Sequence, residues 1–235
     1  MTENIIVITG ATSGIGRATA EQFASNGYTA VLNARTESDL KELRDDLPGE
    51  THRVVAGDIG DENTSKVIKT IVDDLGGVDI LFNNAGYGEI QPVTEMSKDA
   101  FENQLNTNVT GVFLPTKHLL PVFREQDHGS IITTSSLAAK NSFANGSAYV
   151  ASKKAVQGFM ECVKQELRDT NVKCGTILPG SVDTAFFNDL PFGPTADRHL
   201  DAEDVAKTVW FVANQPASAD LDEIVLRPAK RETKD

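Results

Sequence analysis

The stretch IIVITGATSGIGRATAEQFASNG, residues 5–27, decides the fold. It opens with IIVIT (5–9), which is apolar without alternation. It passes through a glycine-rich turn and runs on as GIGRATAEQFASNG (14–27), a helical pattern with Gly27 placed as its stop. Strand, turn and helix in that order form the first half of a crossover unit.

Reading outward, the alternation repeats to the end of the chain. Apolar runs at 29–33, 52–58, 78–84, 129–136, 172–180 and 222–228 read as six further strands. Helical patterns cover about 36–47, 61–75, 97–125, 147–169 and 201–214. Near-continuous apolar strands are buried on both faces, which means a parallel sheet with helices on either side. Right-handed crossovers then make a single-domain α/β fold, a doubly wound seven-stranded parallel sheet, over 1–228, with 229–235 as a frayed tail. In such sheets ligands bind beyond the carboxyl ends of the strands, so the residues just after each strand are the candidates for chemistry.

Composition narrows the partners. The 235 residues carry 22 Lys+Arg against 34 Asp+Glu, a net charge of −12. Nucleic acid and anionic membranes need a cationic face and are not expected partners. No apolar run reaches spanning length and the N-terminus has no basic leader, so a soluble, cytoplasmic protein is expected. Cys162 and Cys174 read as buried, reduced thiols, neither a disulfide framework nor a metal site.

In the first turn Gly10, Gly14 and Gly16 let backbone approach a ligand with no Cβ in the way. The helix that opens there aims free N–H groups at an anion, as a dinucleotide pyrophosphate requires. The tip of the second strand reads Asn33-Ala34-Arg35, a guanidinium where a ribose-binding acid would stand. Arg35 can pair with a 2′-phosphate through charge-assisted hydrogen bonds worth roughly 1.5–3 kcal/mol. The alternative is a solvated loop charge, with Glu37 competing for it.

Tyr149-Val150-Ala151-Ser152-Lys153 opens a helix, where positions i and i+4 share a face. A phenol titrates near pH ~10. An ammonium about 4 Å away at an effective dielectric of ~20 contributes at most about 4 kcal/mol, or roughly three pKa units, which would bring the phenol near ~7. The fifth strand ends in hydroxyls, Thr133 to Ser136, that either bond a substrate carbonyl or only cap the strand. Asn108 lies mid-helix, where a locally disturbed backbone, loosened by Pro115, could hold a water; the alternative is an exposed polar residue. Residues 181–200, with Phe186, Phe187 and Phe192, read equally as an apolar lid or as a simple connection. Trp210-Phe211 read as core or as a second interface.

Together TGATSGIG (9–16), Gly57-Asp58-Ile59, Asn83-Asn84-Ala85-Gly86, Asn108 in NTNVTG, Ser136, YVASK (149–153) and Pro179 to Thr184 resemble the short-chain dehydrogenase/reductase family over about 1–228. The resemblance implies a Rossmann-type fold and an oxidoreductase acting on a small or medium carbonyl compound or secondary alcohol. It implies Tyr149 as proton donor and acceptor, Lys153 lowering its pKa and holding the nicotinamide ribose, Tyr149 and Lys153 both as cofactor contacts, Ser136 orienting the carbonyl and Asn108 supporting a water-linked proton relay to Lys153. For the cofactor it implies the turn Gly10, Thr12, Ser13, Gly14, Ile15 and Gly16. It adds Asp58 and Ile59 at adenine, Asn84 on the ribose side, Ala85 and Gly86 as further cofactor contacts, and Pro179, Gly180, Val182 and Thr184, with Ile177, near nicotinamide. Arg35 in that setting implies NADP(H), although the second basic residue often found inside the turn is here Ser13. A homodimer or homotetramer through the long helices is implied too. A 3-oxoacyl-thioester reductase of lipid synthesis and a non-catalytic cofactor sensor are the competing readings.

Overall fold

The computed structural model describes residues 4–184 and 199–229. Seven strands form one all-parallel sheet in the order β3-β2-β1-β4-β5-β6-β7. The strands are β1 (Ile5–Thr9), β2 (Thr29–Ala34), β3 (Arg53–Ala56), β4 (Ile80–Asn83), β5 (Ser130–Thr134), β6 (Lys173–Pro179) and β7 (Glu223–Leu226). Each expected strand is present: β1 has the expected bounds, β2 gains Ala34, and the other five lose one or two residues at each end, where the chain leaves the ladder. The helices are α1 (Gly14–Ala24), α2 (Glu37–Asp46), α3 (Glu62–Leu75), α4 (Lys98–Leu105), α5 (Gly111–Gln126), α6 (Ser147–Leu167) and α7 (Ala202–Ala213).

Successive residues of β1 enter opposite cores, which explains the lack of polar alternation. Ile6 and Ile8 face Phe23 of α1, Leu40 of α2 and Val209 of α7. Ile5 and Val7 face Ile68 and Val72 of α3, Phe123 of α5 and Met160 of α6. Side-chain burial on both faces, at about 25 cal/mol per Å² of apolar area, is what holds the helices to the sheet. Trp210 belongs to the first core, edge-on to Phe23 at 5.0 Å and to Tyr28 at 5.8 Å, whereas Phe211 is exposed. Cys174 is buried as expected, but Cys162 stands on an exposed position of α6.

The strand order reverses direction between β1 and β4. Two loops therefore diverge there and leave a crevice at the carboxyl edge. One expectation needs correction. The long helix over 97–125 is interrupted: α4 gives way to a π-helical turn, Asn106–Thr110, before α5 begins. Pro115 lies four residues past Gly111 and has no N–H to give the Gly111 carbonyl, which weakens the helix at that junction. Residues 185–198, which hold most of the expected lid, and 230–235 of the expected tail lie outside the described residues. Among the described residues no helix is long and apolar enough to cross a membrane.

Candidate active site

A cleft of about 990 Å³ opens along the carboxyl edge of the sheet. Its floor is a set of cross-strand clamps. The Thr9 hydroxyl accepts from the N–H groups of Asn84 and Ala85, both at 3.0 Å. Asn84 Nδ2 donates to the carbonyls of Thr9 (3.2 Å) and Gly10 (3.3 Å), and its Oδ1 accepts from Thr134 Oγ1 at 3.2 Å. One amide thus ties the tips of β1 and β5 to β4.

The glycine turn lies over this floor. Gly10 has φ of 64°, and a Cβ there would stand 2.8 Å from the Ala85 backbone. Gly14 has φ of 48° and meets Thr184, whose methyl would be 2.8 Å from an added Cβ. Thr12, Ser13 and Ile15 complete the turn's cleft face. The Ser13 side chain makes no cap bond and no acid stands in the first turn of α1. The helix start therefore keeps its positive end available to an anion. Gly16 is a correction: it does not line the cleft, but lies behind the turn, where a Cβ would strike the Gly10 carbonyl. Its role is close packing of helix on strand.

At one end of the cleft stand Arg35, Asp58 and Ile59. Glu37 does not compete for Arg35; it pairs with Lys41 at 2.7 Å. Among the described residues Arg35 forms no ion pair, so its guanidinium is available. Asp39 also reaches this end, which the sequence reading missed because a helical acid reads as solvated surface. Ala85 and Gly86 line the middle, and Pro179, Gly180, Val182 and Thr184 the side after β6. Ile177 is a correction, since it is buried in the core under the sheet edge and does not reach the cleft.

At the centre Ser136, Tyr149 and Lys153 meet. Ser136 opens a short 3₁₀ turn, Leu137–Ala139, and accepts from the Ala138 N–H at 3.1 Å. Lys154 braces that turn by donating to the Ala139 carbonyl at 2.9 Å. Ser136 also hydrogen-bonds the Tyr149 phenol. Lys153 is buried, donates to the Thr134 carbonyl at 3.1 Å, and holds its Nζ 5.8 Å from the Tyr149 ring centre.

The acidities differ from expectation. Burial lowers Lys153 to about 8. Burial also pushes Tyr149 up, against a smaller downward pull from Ser136. Attraction between the two groups is outweighed in this cleft by their removal from water. Asn108 is also placed differently: its side chain is fully buried and does not line the cleft. Its Oδ1 accepts from Tyr87 N–H (3.0 Å), while Nδ2 donates to the Tyr87 carbonyl (2.8 Å) and to Ser152 Oγ (2.9 Å). Ser152 donates in turn to the Tyr149 carbonyl at 2.7 Å. The Asn108 side chain thus holds a wall and braces the start of α6.

A glycine turn at a helix start and a Ser-Tyr-Lys centre in one crevice invite comparison with known proteins. The family model described as short chain dehydrogenase matches residues 4–192. The chain belongs to the short chain dehydrogenase family. It is 31% identical over 229 residues to an uncharacterized oxidoreductase of Staphylococcus aureus (strain MRSA252), covering 97% of this chain and 98% of that one. Among solved structures, the closed form of serine dehydrogenase complexed with NADP+ is similar at a TM-score of 0.90 and 28% identity, covering 98% and 97% of the two chains. The 3-ketoacyl-(acyl-carrier-protein) reductase of Brucella melitensis complexed with NADH is similar at a TM-score of 0.86 and 25% identity, covering 97% and 99%. The protein is therefore an oxidoreductase of this family, with a cleft of the kind that takes a nicotinamide cofactor.

Proposed function

We propose that the protein transfers a hydride between NADP(H) and a small or medium carbonyl compound or secondary alcohol. The observation that carries the reading is the meeting of Ser136, Tyr149 and Lys153 in the cleft whose far end holds Arg35, which forms no ion pair among the described residues. The residues fit the cofactor: two glycines leave no Cβ along its path, the α1 start faces it without an acid, and Arg35 stands ready for a 2′-phosphate. Gly10, Thr12, Ser13, Gly14 and Ile15 would hold the diphosphate, and Arg35, Asp58 and Ile59 the adenosine end. Asn84, Ala85 and Gly86 would hold the ribose side, and Pro179, Gly180, Val182 and Thr184 the nicotinamide. When bound, the cofactor supplies the hydride.

The chain supplies position and protons. Ser136 donates a hydrogen bond to the substrate oxygen and fixes the carbonyl beside the phenol. Tyr149, kept protonated by burial, gives its O–H proton to that oxygen as negative charge develops on it. Lys153, lowered to about 8, is matched to neutral solution and returns a proton to the phenolate. In oxidation the same groups run in reverse. Asn108 serves by holding the Tyr87 wall and α6, which keeps Tyr149 in register. The protein acts on a small molecule in the cytoplasm as a homodimer or homotetramer.

A second reading, a 3-oxoacyl-thioester reductase, is favoured by the likeness to the Brucella enzyme. Against it, Arg35 and Lys153 are the only basic residues lining the described cleft, so no cationic landing for an acidic carrier lies there. The test is Tyr149→Phe, assayed by NADPH oxidation over a ketone panel. Turnover is expected to fall at least about 100-fold, the scale of a lost general acid, with NADPH binding kept. Unchanged turnover would reject the proposed chemistry, and a sensor would keep its output.

A further inference from the structure

The segment after β4, residues 84–92, is neither helix nor strand, yet it forms a cleft wall through Tyr87 and Ile90. Backbone N–H groups in such a wall need partners, and here every second one has a different anchor. The Tyr87 N–H goes to Asn108 Oδ1 at 3.0 Å. The Glu89 N–H goes to Gln104 Oε1 at 2.9 Å. The Gln91 N–H goes to the Asn145 carbonyl at 3.0 Å, which joins this wall to the opposite one carrying Asn141, Ser142 and Phe143.

The middle anchor is the unusual one. Gln104 is fully buried on α4, and its Nε2 has no hydrogen-bond partner among the described residues. A buried amide donor left unpaired is destabilising, a penalty that an aliphatic side chain at the same place would avoid. What that aliphatic side chain would lose is the acceptor for Glu89. Position 104 thus keeps an amide at a stability penalty, and the one side-chain hydrogen bond it makes among the described residues is to the cleft wall. We propose that Gln104 is a positioning residue that sets the register of the 87–91 wall, and through Ile90 the width of the substrate mouth. The proposal rests on the reading of the cleft as a carbonyl reductase site.

The test compares wild type, Gln104→Met and Gln104→Glu. Met matches the volume without the acceptor; Glu keeps an oxygen at the same reach. Acetophenone is the wide substrate and 2-butanone the narrow control, each with NADPH. For Gln104→Met the KM for acetophenone is expected to rise about five- to tenfold, the effect of one lost hydrogen bond of about 1 kcal/mol. The kcat, the KM for 2-butanone and the NADPH Kd should stay within about twofold, and Gln104→Glu should restore the acetophenone KM. Hydrogen exchange gives an arm free of substrate: the Glu89 amide should exchange at least tenfold faster in Gln104→Met, with the amides of β4 unchanged. A lowered Tm with unchanged KM and unchanged Glu89 exchange would make Gln104 an ordinary core residue and overturn the proposal. If wild type reduces neither ketone, exchange alone decides: faster exchange confined to 87–91 upholds the pin, and unaltered exchange removes it, while the functional reading stands or falls on Tyr149→Phe over the wider panel.

Discussion

Replacing Lys153 with Met should abolish turnover and stabilise the fold at neutral pH. The side chain is buried and its pKa is lowered from 10.5 to about 8 by that burial. A difference of about 2.5 units at 1.36 kcal/mol each places the penalty of holding the ammonium in the fold at about 3 kcal/mol. Met fills similar volume without charge, but leaves the Thr134 carbonyl without its donor, a loss of about 1 kcal/mol. The balance is a gain of about 2 kcal/mol below pH 8, or a Tm higher by about 4–8 °C for a chain of this size. The sign with pH follows from proton uptake. Between about 8 and 10.5 the unfolded lysine is protonated and the folded one is not, so wild type gains stability as pH rises through that window. The advantage of Lys153→Met should shrink there and reverse near pH ~10. Urea unfolding of both proteins from pH 7 to 10.5 measures this directly. A difference that stays flat with pH, or a variant less stable than wild type at pH 7, refutes the account of Lys153 as a strained, desolvated cation.

Other consequences are open to simpler measurements. Arg35→Asp should lower the ratio of kcat/KM for NADPH over NADH by about 10- to 150-fold, the worth of a charge-assisted bond. Asp39→Asn should move the same ratio the other way, since that acid reaches the end of the cleft where Arg35 stands. Gly10→Ala should lose NADPH binding by fluorescence titration and lower Tm, because its Cβ would lie 2.8 Å from the Ala85 backbone at a φ of 64°. Of the two thiols, Cys162 should react with Ellman's reagent in the native protein, while Cys174, pushed up to about 12 by burial, should react only after unfolding.

The sheet was legible because β1 and its neighbours are buried on both faces, which leaves an unbroken apolar run in the sequence. The glycine turn and the Tyr149–Lys153 spacing were legible because each follows from local geometry. What escaped depends on distant chain. Gln104 looks like a solvent residue on an amphipathic helix until the 84–92 segment folds across it. Asn108 reads as a relay candidate, yet its side chain is occupied by Tyr87 and Ser152, 21 and 44 residues away. The direction of the Tyr149 shift was misjudged because burial has no signature in a five-residue motif. Gly16 and Ile177 were assigned to the cofactor by position, and only packing shows that they face protein.

The strand order has an outcome for how the catalytic crevice comes into being. Thr9 and Asn84 are 75 residues apart, and Asn84 and Thr134 another 50, yet all three share one knot of hydrogen bonds. The first three strands carry the glycine turn but nothing that lies opposite it. Only when β4 slots in beside β1 does that turn acquire a facing surface, and only when β5 and α6 follow does it acquire a phenol. A nascent chain halted before residue 84 would therefore lack the surface that faces the turn, and competence to bind nucleotide should arrive late in synthesis.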